Sequence, residues 1–206
     1  MPSARETLRR ADPVLARLME AHSAIDLWAW RARWPRDRFA LLVRSIVGQQ
    51  ISTSAASAIF ARLDDLLASD FSAHGMARRS DEQLRGVGLS RAKLASLRDL
   101  SQHILVGTLE IDRLEGLPDD EVRRQLTAVR GIGPWTAELF LLVLGRDDAL
   151  PAADVGLRRA MRAVYRLDHL PSTAEVETIG EAWRPYRSLA AAYLYASLHR
   201  PIPSSD

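Results

Sequence analysis

The stretch from residue 120 to 156 constrains what this chain can fold into more than any other. Two segments of helical apolar period, 120–129 and 137–144, are separated by little more than Gly131-Ile132-Gly133-Pro134. Two glycines in three residues open backbone angles closed to other side chains, and the missing Cβ atoms let a ligand come close. Pro134 suits the first position of the second helix, where its missing N–H costs nothing. The pattern predicts two helices joined by a tight hairpin, with Ile132 plugging the turn into the core. Amides after such a turn lie at a helix N-terminus, where unpaired N–H groups and the helix dipole favour an anion. Gly131 and Gly133 would let a phosphate approach, and the Thr136 hydroxyl is expected to add a contact to it. Behind the second helix, Pro151-Ala152-Ala153-Asp154-Val155-Gly156 sets one carboxylate in a loop bracketed by Pro and Gly. A turn that grips a phosphate with an acid behind it points to chemistry on nucleic acid.

The rest of the chain reads helical as well. Apolar residues recur at 3- and 4-residue spacing over 39–46, 55–67, 91–105, 156–164, 174–179 and 188–197. A further helical pattern covers 7–19, with Pro13 marking a first-turn position. Ser80-Asp81-Glu82-Gln83 and Pro118-Asp119-Asp120-Glu121 look like helix starts, with acids in the first turn. Strand alternation is scarce, so the fold class is all-α. Leu84-Arg85-Gly86-Val87-Gly88-Leu89-Ser90-Arg91 echoes the hairpin at 129–136. Two readings stay open for it, a second hairpin or an unrelated glycine helix end.

Residue usage removes several chemistries. The chain has no cysteine, which excludes disulfides, a thiol nucleophile, iron–sulfur clusters and cysteine zinc sites. The histidines His22, His74, His103, His169 and His199 show no metal-ligand spacing. No phosphate-binding nucleotide loop is present. Lys93 is the only lysine, so a Schiff base would have to use it. There is no asparagine either, so any bidentate amide contact to a base must come from Gln. A formal charge of +2 does not by itself argue for nucleic acid. The longest apolar run, at 139–144, falls far short of the roughly 20 residues of a membrane helix. With no apolar leader at the N-terminus, a cytoplasmic protein without membrane contact is expected.

Leu126-x-x-Val129-Arg130-Gly131-Ile132-Gly133-Pro134-Trp135-Thr136-Ala137 resembles the signature of the helix-hairpin-helix (HhH-GPD) DNA glycosylase superfamily. The resemblance extends over residues 35–200. It implies that the hairpin amides bind a DNA phosphate, and that the carbonyls of Thr127, Val129 and Ile132 hold a K+ or Na+ ion. No other cofactor is implied. Bifunctional members carry lysine where this chain has Trp135, so the branch it resembles is the monofunctional, AlkA-type 3-methyladenine DNA glycosylase II. By the same resemblance Asp154 is the catalytic aspartate. A carboxylate there would stabilise the positive charge that develops on deoxyribose as the N-glycosidic bond breaks, and would orient or deprotonate water. The competing reading is that Asp154 caps the helix starting near Gly156. Asp147 and Asp148 are expected to be solvated turn residues.

A flipped base needs aromatic faces. Trp135 is one candidate, and Tyr195 aligns with a stacking tryptophan of the family in the run from Trp183-Arg184-Pro185-Tyr186-Arg187-Ser188 to Tyr193-Leu194-Tyr195. Leu139 falls where some relatives place an aromatic, which implies a pared-down pocket. Trp183 reads as core, and Tyr186 and Tyr193 as either. In Arg44-Ser45-Ile46-Val47-Gly48-Gln49-Gln50-Ile51-Ser52, Gln49 or Gln50 would be the wedge that fills the space left by the flipped nucleotide. Lys93 matches a family pattern that is not catalytic.

The expected architecture is two helical lobes without an N-terminal α/β domain. Residues 38–154 form the hairpin lobe, and the segment 1–37 packs with a C-terminal lobe of 155–206. Asp154 is expected at the junction, beside a cleft for double-stranded DNA containing damaged bases, and the protein is expected to be a monomer. The expected activity is hydrolytic release of alkylated purines such as 3-methyladenine in base excision repair. The alternatives are a glycosylase for uracil or an oxidised purine, and a non-catalytic DNA-binding module that uses the same hairpin.

Overall fold

Short polar side chains decide where most of the helices begin. In the computed structural model, which describes residues 2–23, 37–68 and 70–198, Ser3, Asp12, Asp37, Ser52, Ser90 and Asp154 each accept a hydrogen bond from a first-turn N–H. Such bonds pair donors that the helix itself leaves open. Ser80 and Ser172 complete capping boxes with Gln83 and Glu175. The helices are α1 (Ala4–Ala11), α2 (Pro13–Ala21), α3 (Arg38–Gly48), α4 (Thr53–Leu67), α5 (Ala73–Arg78) and α6 (Asp81–Gly86). They continue with α7 (Arg91–Leu105), α8 (Asp119–Thr127), α9 (Pro134–Leu144), α10 (Val155–Val164), α11 (Thr173–Gly180) and α12 (Arg187–Ser197). Among the described residues there is no strand, and no helix is long and apolar enough to cross a membrane.

The segment predicted as 7–19 is two helices. Pro13 holds Asp12 extended (φ −143°, ψ 106°) and opens α2 as its first residue. The short α5 had no legible apolar period and was not predicted.

The chain divides into two compact units, one of residues 34–140 and one of residues 1–33 with 141–206. This corrects the predicted boundaries of 38–154 and 155–206. The reason lies in the turn after α9, which is bound to the C-terminal segment. The Ser188 N–H donates to the Asp147 carbonyl at 2.9 Å, and the Ser188 hydroxyl accepts from the Ala149 N–H at 3.0 Å. Asp148 takes Arg187 Nε at 2.7 Å and Arg184 at 2.6 Å. Asp148 is therefore an anchor and not the solvated turn residue expected, whereas Asp147 is exposed. Residues 24–36 of the N-terminal segment and 199–206 of the C-terminal one lie outside the described residues.

In the unit of residues 34–140, α3 packs on α4 and α7, and α7 on α5 and α6. Leu42, Val43, Ile46 and Val47 of α3 and Leu97 and Leu100 of α7 are buried in full. In the other unit α2, α10 and α12 pack mutually, with α1 beside α2 and α11 beside α10. Trp183 is core, as expected, and so is Tyr193. At the centre of this unit Asp12 is only 8% exposed. Its Oδ1 accepts the Val14 and Leu15 N–H groups at 2.9 and 3.0 Å. Its Oδ2 accepts the Trp183 indole N–H at 2.9 Å and the Tyr165 hydroxyl at 2.5 Å. Burial acts to raise the Asp12 pKa, but these four donors outweigh it and leave the carboxyl below the usual aspartate range. Burial and the adjacent charge push the Tyr165 phenol far up, so it remains a donor.

Candidate nucleic-acid interface and active site

The hairpin between α8 and α9 is built against α7 and the end of α3. Gly131 takes φ +79°, and a Cβ there would meet Ser96 Oγ at 2.3 Å. No side chain fits between the turn and α7. Two hydrogen bonds hold the turn in place. The Arg130 N–H donates to Asp99 Oδ2 on α7 at 2.7 Å, and the Gln49 amide donates to the Gly131 carbonyl at 2.8 Å. Ile132, 3% exposed, fills the core beneath as expected.

Gly133 differs from Gly131. It has no positive φ, and a Cβ there would meet nothing within 4 Å. The expectation that both glycines need special angles holds only for Gly131; what Gly133 leaves is open space in front of α9. Thr136 is 1% exposed, so its hydroxyl does not face an incoming phosphate as expected. Its place in the first turn of α9 still presents a main-chain N–H there. The echo at 86–88 folds as a comparable turn, with Gly88 at φ +104°. Here, however, Ser90 caps α7 and its hydroxyl accepts the Lys93 N–H at 3.3 Å. Gly133 has no side chain with which to do the same. The two turns thus separate physically into one capped by its own serine and one whose residue before the helix carries no side chain and has open space beside it.

The Gln49–Gln50 corner follows α3. Gln49 is committed to the hairpin carbonyl, whereas Gln50 is exposed and strained at φ +58°. Beside it, Lys93 Nζ donates to the Val47 carbonyl at 2.7 Å, and burial lowers its pKa. The lysine acts as a cap on the last turn of α3. Of the expected base-pocket residues in this unit, Trp135 is half-exposed at the head of α9. Leu139 is 5% exposed and belongs to the core instead of lining a pocket, because α9 is apolar on every side from Leu139 to Leu142.

In the other unit Asp154 caps α10. Its Oδ1 accepts the Leu157 N–H at 2.8 Å, with the carboxylate half-buried. Tyr195 of α12 donates a hydrogen bond from its hydroxyl to the same carboxylate. Desolvation, then the Asp154 charge and this hydrogen bond, raise the Tyr195 phenol well above its ordinary range. The expected pocket residues Trp135 and Tyr195 belong to different units. Sequence reasoning missed Asp99 and Ser96. Their signal is a small and an acidic residue three positions apart on a helix that has to accept a close turn.

A model of the HhH-GPD superfamily base excision DNA repair protein matches residues 43–185. The chain belongs to this superfamily. It is 32% identical over 169 residues to DNA-3-methyladenine glycosylase 1 of Schizosaccharomyces pombe, across 80% of this chain and 74% of that protein. Against another curated relative, from Bacillus subtilis, it spans 41% of the relative's length. Among solved structures it is similar to a DNA-3-methyladenine glycosidase of Bacillus halodurans, with TM-score 0.79, 34% identity and coverage of 95% and 89% of the two chains. It is also similar to the S. pombe 3-methyladenine DNA glycosylase in complex with abasic DNA, with TM-score 0.82, 27% identity and coverage of 95% and 96%.

Proposed function

We propose that this protein is a monofunctional DNA glycosylase, a monomer that hydrolyses the N-glycosidic bond of flipped-out alkylated purines such as 3-methyladenine in duplex DNA. The observation that carries the reading is the open, glycine-headed N-terminus of α9 in a member of a base excision repair superfamily. The names of its relatives support the lesion class. On this reading the N–H groups at the head of α9 hold a phosphate without reading sequence. The carbonyls of Thr127, Val129 and Ile132 would hold a monovalent cation beside it. The Val129 carbonyl accepts the Ile132 N–H at 3.1 Å, which uses one lone pair and leaves one. Neutral oxygens of this kind suit a singly charged ion.

In the reaction the bond from C1′ to the base nitrogen breaks and its electrons leave with the base. Asp154 faces the positive charge left on the sugar and takes the proton of the water that adds to C1′. The products are free base and an abasic site. Alkylated purines already carry positive charge and leave without a strong acid, so the half-exposed Trp135 contributes by stacking and cation–π attraction of about 0.5–2 kcal/mol. Lys93, the chain's one lysine, is bound to the Val47 carbonyl, which supports a reading without a Schiff-base step, and no strand cleavage is expected. The test is incubation of the purified protein with methylated duplex DNA under borohydride. Released 3-methyladenine with no protein–DNA adduct supports the reading. An adduct, or release of uracil or an oxidised purine in its place, would replace it.

Two variants of the hairpin separate folding from binding. Gly131→Ala has to adopt φ +79° against Ser96 and is expected to lose about 1–3 kcal/mol of stability. Gly133→Ala meets no protein atom, so its melting temperature should stay that of the parent. Its methyl group stands where the phosphate would come, and affinity for abasic-site duplex should fall about tenfold. Unchanged affinity would remove the phosphate from α9.

Gln50 is the wedge in this reading, because Gln49 is held by the hairpin. Gln50→Ala should slow single-turnover base release about tenfold without lowering the melting temperature. Equal rates for variant and parent would reassign the wedge.

A further inference from the structure

Tyr195 is half-buried, and its hydroxyl as well as its ring has a partner. Its hydroxyl is bound to Asp154, and its ring edge reaches the same small space as the carboxylate. The position where a Cβ of residue 156 would stand is 2.9 Å from Asp154 Oδ1, 3.7 Å from Tyr195 Cε1 and 3.6 Å from Leu198 Cδ1. Any side chain at 156 would push on the carboxylate oxygen. Glycine alone leaves the pair undisturbed.

Both donors to Asp154 come from fixed elements. Leu157 is fully buried in α10. Tyr195 follows Ala190, Ala191, Ala192, Tyr193 and Leu194 of α12, all 1% exposed or less, and α12 packs on α10. A carboxylate held only by its own helix cap can still turn about its side-chain torsions. A second hydrogen bond from a packed neighbouring helix removes that freedom. The raised phenol keeps its proton, so the hydroxyl stays a donor at neutral pH.

We infer that Tyr195 is a positioning residue whose hydroxyl, across the space kept open by Gly156, sets the orientation of the Asp154 carboxylate toward the sugar. This rests on the reading of Asp154 as the reacting carboxylate. It departs from the aromatic-face role expected for residue 195, because a ring that only stacks has no need of its hydroxyl. Misorientation of a reacting group by a fraction of an ångström costs rate while leaving DNA affinity alone.

The test compares the parent, Tyr195→Phe, Gly156→Ala and Asp154→Asn in three measurements. These are single-turnover release of base from methylated duplex, affinity for a tetrahydrofuran abasic-site duplex, and thermal melting. Tyr195→Phe keeps the ring, and is expected to release base about ten- to a hundredfold more slowly at unchanged affinity, with a melting temperature lower by a few degrees for the lost hydrogen bond. Gly156→Ala should slow the same step. Base release by Tyr195→Phe at the parental rate, with Asp154→Asn inactive, overturns the inference and leaves the Asp154 reading standing. Full activity of Asp154→Asn overturns that reading and this one with it. A spectroscopic arm reads the contact independently of any lesion. With 13C at tyrosine Cζ, the signal missing in Tyr195→Phe should titrate at lower pH in Asp154→Asn than in the parent. Identical titration in the two would show no contact, and would overturn the inference.

Discussion

Asp154→Asn is expected to abolish release of 3-methyladenine, by at least about a hundredfold in single-turnover rate, while the protein still folds and still binds abasic-site DNA. The physical case for this substitution is that it isolates charge from structure. Asp154 caps α10 through Oδ1 and the Leu157 N–H. Asparagine is as good a helix cap as aspartate, so the helix keeps its start and the melting temperature should not move. What disappears is the negative charge that opposes the oxocarbenium-like sugar, together with the base that accepts the proton of water. Asp154→Ala removes the cap as well, and should lose about 1 kcal/mol of stability in addition to activity. Base release by Asp154→Asn close to the parental rate would mean that residue 154 serves only as a cap, and the reacting group would have to be sought elsewhere. Asp148 is a poor substitute for it, because Arg184 and Arg187 both bind its carboxylate.

The largest loss of stability is expected from Asp12→Ala. That carboxylate joins the start of α2 to Tyr165, just beyond α10, and to Trp183 ahead of α12. Truncation removes a helix cap and leaves the indole N–H of a fully buried tryptophan without its acceptor. A loss of about 3–5 kcal/mol follows, or roughly 10 °C in melting temperature for a chain of this size. The pH dependence has a definite sign. The folded-state pKa of Asp12 lies below the ordinary aspartate value of 3.8, so its contribution is fully present above that value and is lost as pH falls through the folded pKa. Melting curves of parent and variant should therefore lie far apart at neutral pH and draw together only in acid, below 3.8, as the Asp12 carboxylate takes up its proton. A gap that stays constant with pH would show that the ionised form of Asp12 is not what binds the unit together.

Much of the molecule was legible in one dimension. The helix start at Ser80 was readable because a cap needs only a residue and the N–H group three positions on. The hairpin was readable because glycine, a buried apolar residue, glycine and proline are all local requirements of one turn. Arg91–Leu105 has the bounds its apolar period predicts. Leu139 was misplaced for the same kind of reason. Its place in a motif is a sequence fact, whereas the side of α9 that stays open depends on what surrounds a helix that is apolar all round. The boundary between the units was also misplaced. Nothing local to residues 141–150 shows that Ser188 and Arg187 will bind them.

The sequence by itself determined the helical class, the hairpin, the superfamily and the place of Asp154 in the loop before α10, because each depends on residues close together in the chain. Only the tertiary structure separated Gly131, which needs its positive φ against Ser96, from Gly133, which leaves room in front of a helix. Only it committed Gln49 to the hairpin and left Gln50 exposed, and only it bound the Tyr195 hydroxyl to Asp154. Those choices depend on groups 82 residues apart in the case of Gln49 and Gly131. A hydrogen bond over that span is set by how helices pack, and packing is a property of the whole core that no local pattern encodes.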